Sequence, residues 1–369
     1  MTPAQIEIQL IAVVVAVACA LPGAFLVLRG AAMMSDAISH AILPGIVVAF
    51  FLTQDLSSPL LVGAAAATGV LTVTLVELLG RTGLLAKDAA VGLVFPALFS
   101  IGVILIARYA GDVHLDTDAV LLGELAFAPF RRLVLFGVDL GPRPLYLMGG
   151  ILLVQVTALL LFYKELKLAT FDAALAAALG FMPALLHYGL MAVVSVTVVG
   201  AFDSVGSVLV VALMVAPPAA AQLFVNRLSA FLGLSAVFGI VSALSGYWLA
   251  RLLDASIAGS MAVAAGAVFF VAFLVAPERG IVAAWIRRRA QRWEFAQATL
   301  AIHLLQHRGL PEEFEECRVD HLQRHLGWST EKADEIVRRA ERRGLVVRED
   351  DRLALSDAGL ALGRETLSQ

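Results

Sequence analysis

Asp36 and His40 stand four residues apart in an otherwise apolar run, Met33-Met34-Ser35-Asp36-Ala37-Ile38-Ser39-His40-Ala41-Ile42-Leu43-Pro44-Gly45, which stays oily to Leu52. Spacing i, i+4 sets both side chains on one face of a helix. Inside a membrane each costs several kcal/mol unless it faces protein, water or an ion. The pair is therefore the first candidate for the path of a transported cation. One oxygen and one nitrogen ligand suit Mn²⁺, Fe²⁺ or Zn²⁺, and a site that must release its ion needs few ligands, completed by water or a second chain. The plainer alternative makes Asp36 a helix cap and gives His40 a backbone partner. If the helix starts right after Gly30, Asp36 lies about 10 Å along its axis, towards the cytoplasmic side.

Other ionisable residues near apolar segments are fewer. His187 falls early in a later segment, and Asp203 falls in a turn expected at 200–206, where it faces arriving metal or is simply solvated. Glu77 reads as a snorkelling or paired carboxylate. Asp112, His114, Asp116 and Asp118 form an acidic loop that either docks a partner or is solvated. Nearer the C-terminus, His303 and His307 are spaced i, i+4, and Cys317, His321 and His325 follow at successive fours. Either set can clip a transition metal on a helix face, which raises the possibility of a metal sensor; partly exposed helix histidines are the commoner fate.

The elements that position these residues follow from composition. The chain has 369 residues, 60% hydrophobic and 15% charged, with a mean hydropathy of +0.87. Soluble domains carry about 25% charged residues. From Ile286 to Gln369 there are 15 basic and 15 acidic residues, 30 of the chain's 57 charges. A membrane domain over 1–285 and a soluble domain over 286–369 are expected. Two cysteines, Cys19 and Cys317, provide no disulfide framework. The first apolar segment lacks a basic leader and reads as a span that stays.

About 20 apolar residues cross a bilayer core. That measure gives nine spans, roughly 8–28, 34–53, 59–79, 89–108, 145–163, 182–201, 205–223, 229–250 and 258–276, with a break or kink expected at Pro217-Pro218. Alternate loops are basic: Arg29; Arg81 and Lys87; Lys164 and Lys167; Arg227; Arg287–Arg289. The positive-inside rule puts these in the cytoplasm, with the N-terminus outside and the C-terminal domain inside. Arg131, Arg132 and Arg143 fall outside, softened by acids in the same loop. Short apolar runs at Ala119–Leu122 and Leu133–Phe136 suggest interfacial or re-entrant pieces. Lys164–Met182 reads as a short cytoplasmic helix with an Ala-rich middle, stopped by Gly180. Such a helix between two spans can receive force from a motor protein, or is a surface connector.

Four stretches resemble the permeases of zinc/manganese/iron ABC transporters, in the expected order: Ser35–Gly45, Lys87–Phe95, Phe171–Gly180 and Val205–Ala221. The resemblance implies a homodimer, or a pair of related permeases, around one pathway. It also implies cytoplasmic ATPase subunits engaged through Phe171, Asp172, Ala176, Leu179 and Gly180, and an extracytoplasmic metal-binding protein. No Gly-x-x-x-x-Gly-Lys-Ser/Thr loop occurs in the chain, so ATP hydrolysis belongs to another polypeptide and this chain is not itself an enzyme. No permanently bound cofactor is expected; Mn²⁺, Zn²⁺ or Fe²⁺ is cargo.

The C-terminal residues read as helix, tight turn at Gly327-Trp328-Ser329, helix, hairpin and final helix, a winged-helix layout. They resemble the DNA-binding domain of iron- and manganese-dependent repressors. Arg338, Arg339, Arg342 and Arg343 fall where a DNA reader carries them, but the balanced charge argues for a regulatory or protein-docking role over DNA. The fold class is thus an all-α polytopic membrane protein with a small cytoplasmic α+β winged-helix domain. The rivals are a siderophore- or chelate-type permease, a membrane-anchored metal-responsive DNA-binding regulator, and an ion-gradient carrier.

Overall fold

A computed structural model describes residues 2–54, 58–109, 125–135, 138–349 and 352–368. The acidic loop residues Asp112, His114, Asp116 and Asp118, and the run Ala119–Leu122, lie outside the described residues, as do the side chains of Asp203 and His325. The chain divides into two compact units, Met1–Gly280 and Ile281–Gln369.

The first unit is built from long apolar helices: α1 (Pro3–Leu28), α2 (Met33–Ala41), α3 (Leu43–Thr53), α4 (Pro59–Arg81), α5 (Lys87–Tyr109), α6 (Arg143–Leu161), two short helices α7 (Tyr163–Phe171) and α8 (Ala173–Ala178), then α9 (Pro183–Val205), α10 (Ser207–Gln222), α11 (Leu228–Leu253) and α12 (Ile257–Val275). Among the described residues, eight helices are long and apolar enough to cross a membrane, taking α2 and α3 as one. The expected ninth, α10, has 16 residues. At 1.5 Å per residue it reaches about 24 Å, short of a core of about 30 Å.

Three other expectations change. Pro217 and Pro218 do not break α10, which runs through both to Gln222. Pro218 has no N–H for the Met214 carbonyl, and α1 closes on that carbonyl: a Cβ on Gly23 would collide with it. Backbone contact at this depth shields the freed oxygen from hydrocarbon. The turn expected at 200–206 shrinks to Gly206, whose φ of 77° lets α9 end and α10 begin within one residue, and Asp203 joins the last turn of α9. Leu133–Leu135, expected as an interfacial or re-entrant piece, is no re-entrant helix: it lies in strand β1 (Arg132–Leu135), antiparallel to β2 (Val138–Pro142). A four-residue apolar run does not distinguish strand from helix.

Helix α1 packs on α10, α11 and α6, while α9 packs on α4, α1, α6 and α2, so these two run through the middle of the bundle. Helices α2, α3, α4 and α5 pack together beside them. The core is aliphatic, with Ile11, Ile38, Met191, Leu213, Met214 and Met261 fully buried. At the N-terminal end of α1, Arg132 of the hairpin bridges Glu7 (2.9 Å) and Asp139 (2.8 Å).

The second unit contains α13 (Ile281–His307), α14 (Glu313–Glu316), α15 (Val319–Leu326), α16 (Thr330–Arg342), an antiparallel hairpin β3 (Val346–Glu349) and β4 (Arg352–Leu355), and α17 (Asp357–Ser368). Its own core joins Leu300, Leu304, Leu322, Ile336, Val337 and Leu353. Ser329 holds the extended N-cap conformation of α16, as the turn residues predict.

Candidate metal-handling site

Asp36 lies in the first turn of α2 and His40 one turn further on, about 5 and 10 Å from Met33 along the axis. Asp36 Oδ1 and His40 Nε2 are 3.5 Å apart. Two atoms that each bind one ion at about 2.1 Å stand no more than about 4.2 Å apart, so the pair is already within chelating distance. The serines between them turn away: Ser35 and Ser39 donate to the Ala32 and Ser35 carbonyls, both at 2.8 Å, and are buried. Asp36 and His40 instead stay 42% and 32% exposed. Phe95 and Phe99 of α5 flank the imidazole at 6.0 and 6.3 Å between ring centroids. Pro44 cannot donate to the His40 carbonyl four residues earlier, and the helix turns at Ile42, between α2 and α3.

Glu77 and His187, read singly in the sequence, are brought together in a second polar cluster. A chamber of about 550 Å³ is lined by Arg29, Glu77, Arg81, Asp88, His187 and Tyr188 among others. His187 Nε2 stands 2.5 Å from Glu77 Oε1, and the Tyr188 hydroxyl donates to Glu77 Oε2 at 2.7 Å. Arg29 Nη1 lies 3.1 Å from His187 Nδ1, and its Nε and Nη2 donate to Thr170 Oγ1 at 3.3 and 3.0 Å. A guanidinium has donors only. His187 Nδ1 must therefore accept from Arg29, which leaves Nε2, the atom beside Glu77 Oε1, as the protonated nitrogen. Both ring nitrogens are engaged, which makes His187 a strut between α1, α4 and α9 rather than an open ligand.

Thr170 belongs to the segment between α6 and α9. That segment is two helices rather than one: Asp172 interrupts it and caps α8, its carboxylate accepting from Leu175 N at 2.8 Å. Gly180 ends it at a φ of 86°. Ala176 is fully buried, while Phe171, Leu175, Leu179 and Met182 are exposed. An apolar knob on a capped, two-helix arch is a surface suited to docking.

In the second unit the structure brings His303 and His307 to Glu316, which sequence spacing did not select. Cys317 instead packs in the core, where burial pushes its thiol up to about 11. His321 Nδ1 lies 3.1 Å from Glu316 Oε2. The arginines of α16 are largely held within the unit. Arg338 and Arg339 pair with Glu335 at 3.0 and 2.7 Å, Arg339 also covers the Trp293 ring at 4.0 Å, and Arg343 reaches Glu294 at 3.3 Å.

Comparison with known proteins adds a family. The zinc transport system membrane protein TroD of Treponema pallidum (strain Nichols) is 49% identical over 361 residues, 98% of each chain. The manganese transport system membrane protein MntD of Bacillus subtilis (strain 168) is 47% identical over 275 residues, 74% of this chain and 93% of that protein. Among solved structures, PsaBC from Streptococcus pneumoniae in complex with a Fab aligns with a TM-score of 0.62 at 27% identity, covering 76% of this chain and 94% of that one. The model of the ABC 3 transport family matches residues 3–276, through nearly all of the helical first unit; the chain belongs to the ABC 3 transport family.

Proposed function

We propose that this chain is the membrane permease subunit of an ATP-driven importer of divalent transition-metal ions, Mn²⁺ or Zn²⁺. The observation that carries the reading is the Asp36–His40 pair, 3.5 Å apart on a partly open face of an apolar helix. An ionisable pair at that position needs a water-lined path, an ion or another subunit against it. A second permease copy or a paralogue supplies the missing wall, and the transported ion passes between them. The relatives' names, zinc for TroD and manganese for MntD, support the cargo class.

The basic ends of α1 and α4 (Arg29, Arg81) lie in the cytoplasm in this reading, with the N-terminus outside and the C-terminal unit inside the plasma membrane of a bacterium. Arg132, paired to Glu7 and Asp139 at the opposite end of α1, is neutralised there and weighs little against that orientation. ATPase subunits dock on the knob around Phe171–Gly180. Their closure reaches the bundle through Thr170, Arg29 and His187, which link α7 to α1, α9 and Glu77 of α4. An extracytoplasmic binding protein delivers metal at the other end. The helix–turn–helix, hairpin and helix of the second unit support a winged-helix module, and the internal pairing of its arginines favours a regulatory or docking role over reading DNA.

Uptake into proteoliposomes carrying the assembled transporter tests the reading, with Mn²⁺ and Zn²⁺ compared in wild type, Asp36→Ala and His40→Ala. Each substitution is expected to cut the initial rate at least about tenfold, the effect of losing about 1.4 kcal/mol. Full-rate import without both side chains overturns the assignment.

A further inference from the structure

The second unit contains a histidine pair that the transport pathway does not use. His303 and His307 occupy the last two turns of α13, with ring centroids 4.7 Å apart. The chain reverses through Gly309 at a φ of 78°. The Glu313 carboxylate holds that reversal by accepting from Gly309 N at 2.7 Å. Glu316, at the end of α14, thereby returns to the same helix face. One ligand atom from each of His303, His307 and Glu316 falls within 4.8 Å of the other two.

We infer that His303, His307 and Glu316 form a binding site for a first-row transition dication, separate from the transport pathway. Three further observations carry it. His307 Nδ1 is buried and makes no hydrogen bond among the described residues, a state that costs free energy unless something fills it. His303 and Glu316 are 7% and 9% exposed, so the ligands are held by packing and not splayed in solvent. His321 Nδ1, 3.1 Å from Glu316 Oε2, orients the carboxylate as partners of metal ligands do.

Closing the cluster on an ion at about 2.0–2.2 Å from each atom requires each ligand atom to move inward by up to about 0.7 Å, within reach of side-chain rotation. Two imidazoles and a carboxylate leave a coordination position for water, a pattern of exchangeable Zn²⁺ sites. The general affinity order puts Zn²⁺ above Mn²⁺ here. Cys317, adjacent in sequence, points into the core with Leu300 and Leu322 and is excluded from the set on that ground. The site lies outside residues 3–276, the part matched by the transport family.

The test uses the full-length chain in detergent with Asp36→Ala and His40→Ala, which removes the other candidate site. Equilibrium titration with Zn²⁺ against a chromophoric chelator is expected to give one ion per chain at micromolar affinity or better. His307→Gln and Glu316→Gln should each weaken binding at least tenfold. X-ray absorption of the loaded chain needs no further variant: it should show imidazole scattering and only nitrogen and oxygen neighbours. No bound Zn²⁺, undiminished binding in both substituted chains, or a sulfur neighbour near 2.3 Å would each overturn the site.

Discussion

His187 has an acid, an arginine and a tyrosine within reach of itself or its partner, and two of the three are far from it in sequence. Glu77 lies on α4, Arg29 at the end of α1, and only Tyr188 is adjacent. The Asp36–His40 pair was legible because one helix turn separates its members, so spacing alone sets the geometry. Contacts between distant helices have no such rule: the sequence marks Glu77 as a snorkelling or paired carboxylate without naming its partner, and it does not single out Glu316. Cys317 shows what burial does to a single group. Its thiol is raised from 9.0 to about 11 by desolvation first, then by Glu313 and Glu316. The raised value means that the fold favours the neutral thiol. Its contribution to stability is therefore complete below pH 9 and is lost as pH climbs from 9 towards 11, when the unfolded chain ionises and the folded one does not. In a Cys19→Ala background, alkylation of the native chain at pH 8.5 should run far below that of the denatured chain and rise only near pH 11. Native alkylation at the denatured rate would show the thiol to be exposed and unshifted.

Helices α1 and α10 meet where one lacks a side chain and the other lacks a donor. Gly23 has no room for a Cβ against the Met214 carbonyl, and Pro218 leaves that carbonyl without its helical partner. Gly23→Ala should force the helices apart and lower the thermal stability of the detergent-solubilised protein by about 1–3 kcal/mol, the cost of overpacking a close contact. Ala substituted at Gly149, where the added Cβ meets nothing within 4 Å, is the comparison; equal melting of the two would sink the close-contact account. The same pair explains where sequence reading of the elements failed. Two consecutive prolines predict a broken or kinked helix on local grounds; the break is absent, because tertiary packing on the freed carbonyl lets α10 continue. Hydropathy found every long span because burial in lipid demands about 20 apolar residues in a row. It could not find the turn at Ile42, which hydropathy does not register, nor the hairpin at Arg132–Pro142, whose apolar run is too short to show a period. Asp172 is an intermediate case: its capping chemistry is readable, yet the Ala-rich stretch after it looked continuous with the helix before it.

At the scale of the molecule the two units differ in charge and in core. The first closes around Ile11, Ile38, Met191 and Met214, the second around Leu300, Leu322 and Ile336, and each core draws on its own residues alone. The TroD match covers 98% of this chain, and the MntD match covers 74% of it while spanning 93% of MntD. A unit whose core is built wholly from residues within 1–280 does not draw on the rest of the chain to form it. A chain ended after Gly280 should therefore insert, elute as a single species in detergent and melt at the temperature of the full-length protein's membrane unit. With the ATPase subunits it should also import metal, since Asp36, His40 and the Phe171–Gly180 arch all lie in the part retained. Its response to excess cytoplasmic Zn²⁺ should differ from that of the intact transporter if occupancy of the His303–His307–Glu316 cluster feeds back on transport. Uptake assays of the two chains side by side, with and without Zn²⁺ inside the vesicles, read both effects. Aggregation of the shortened chain would mean that the second unit completes the fold of the first. Identical Zn²⁺ responses would confine the cluster to binding and remove it from control.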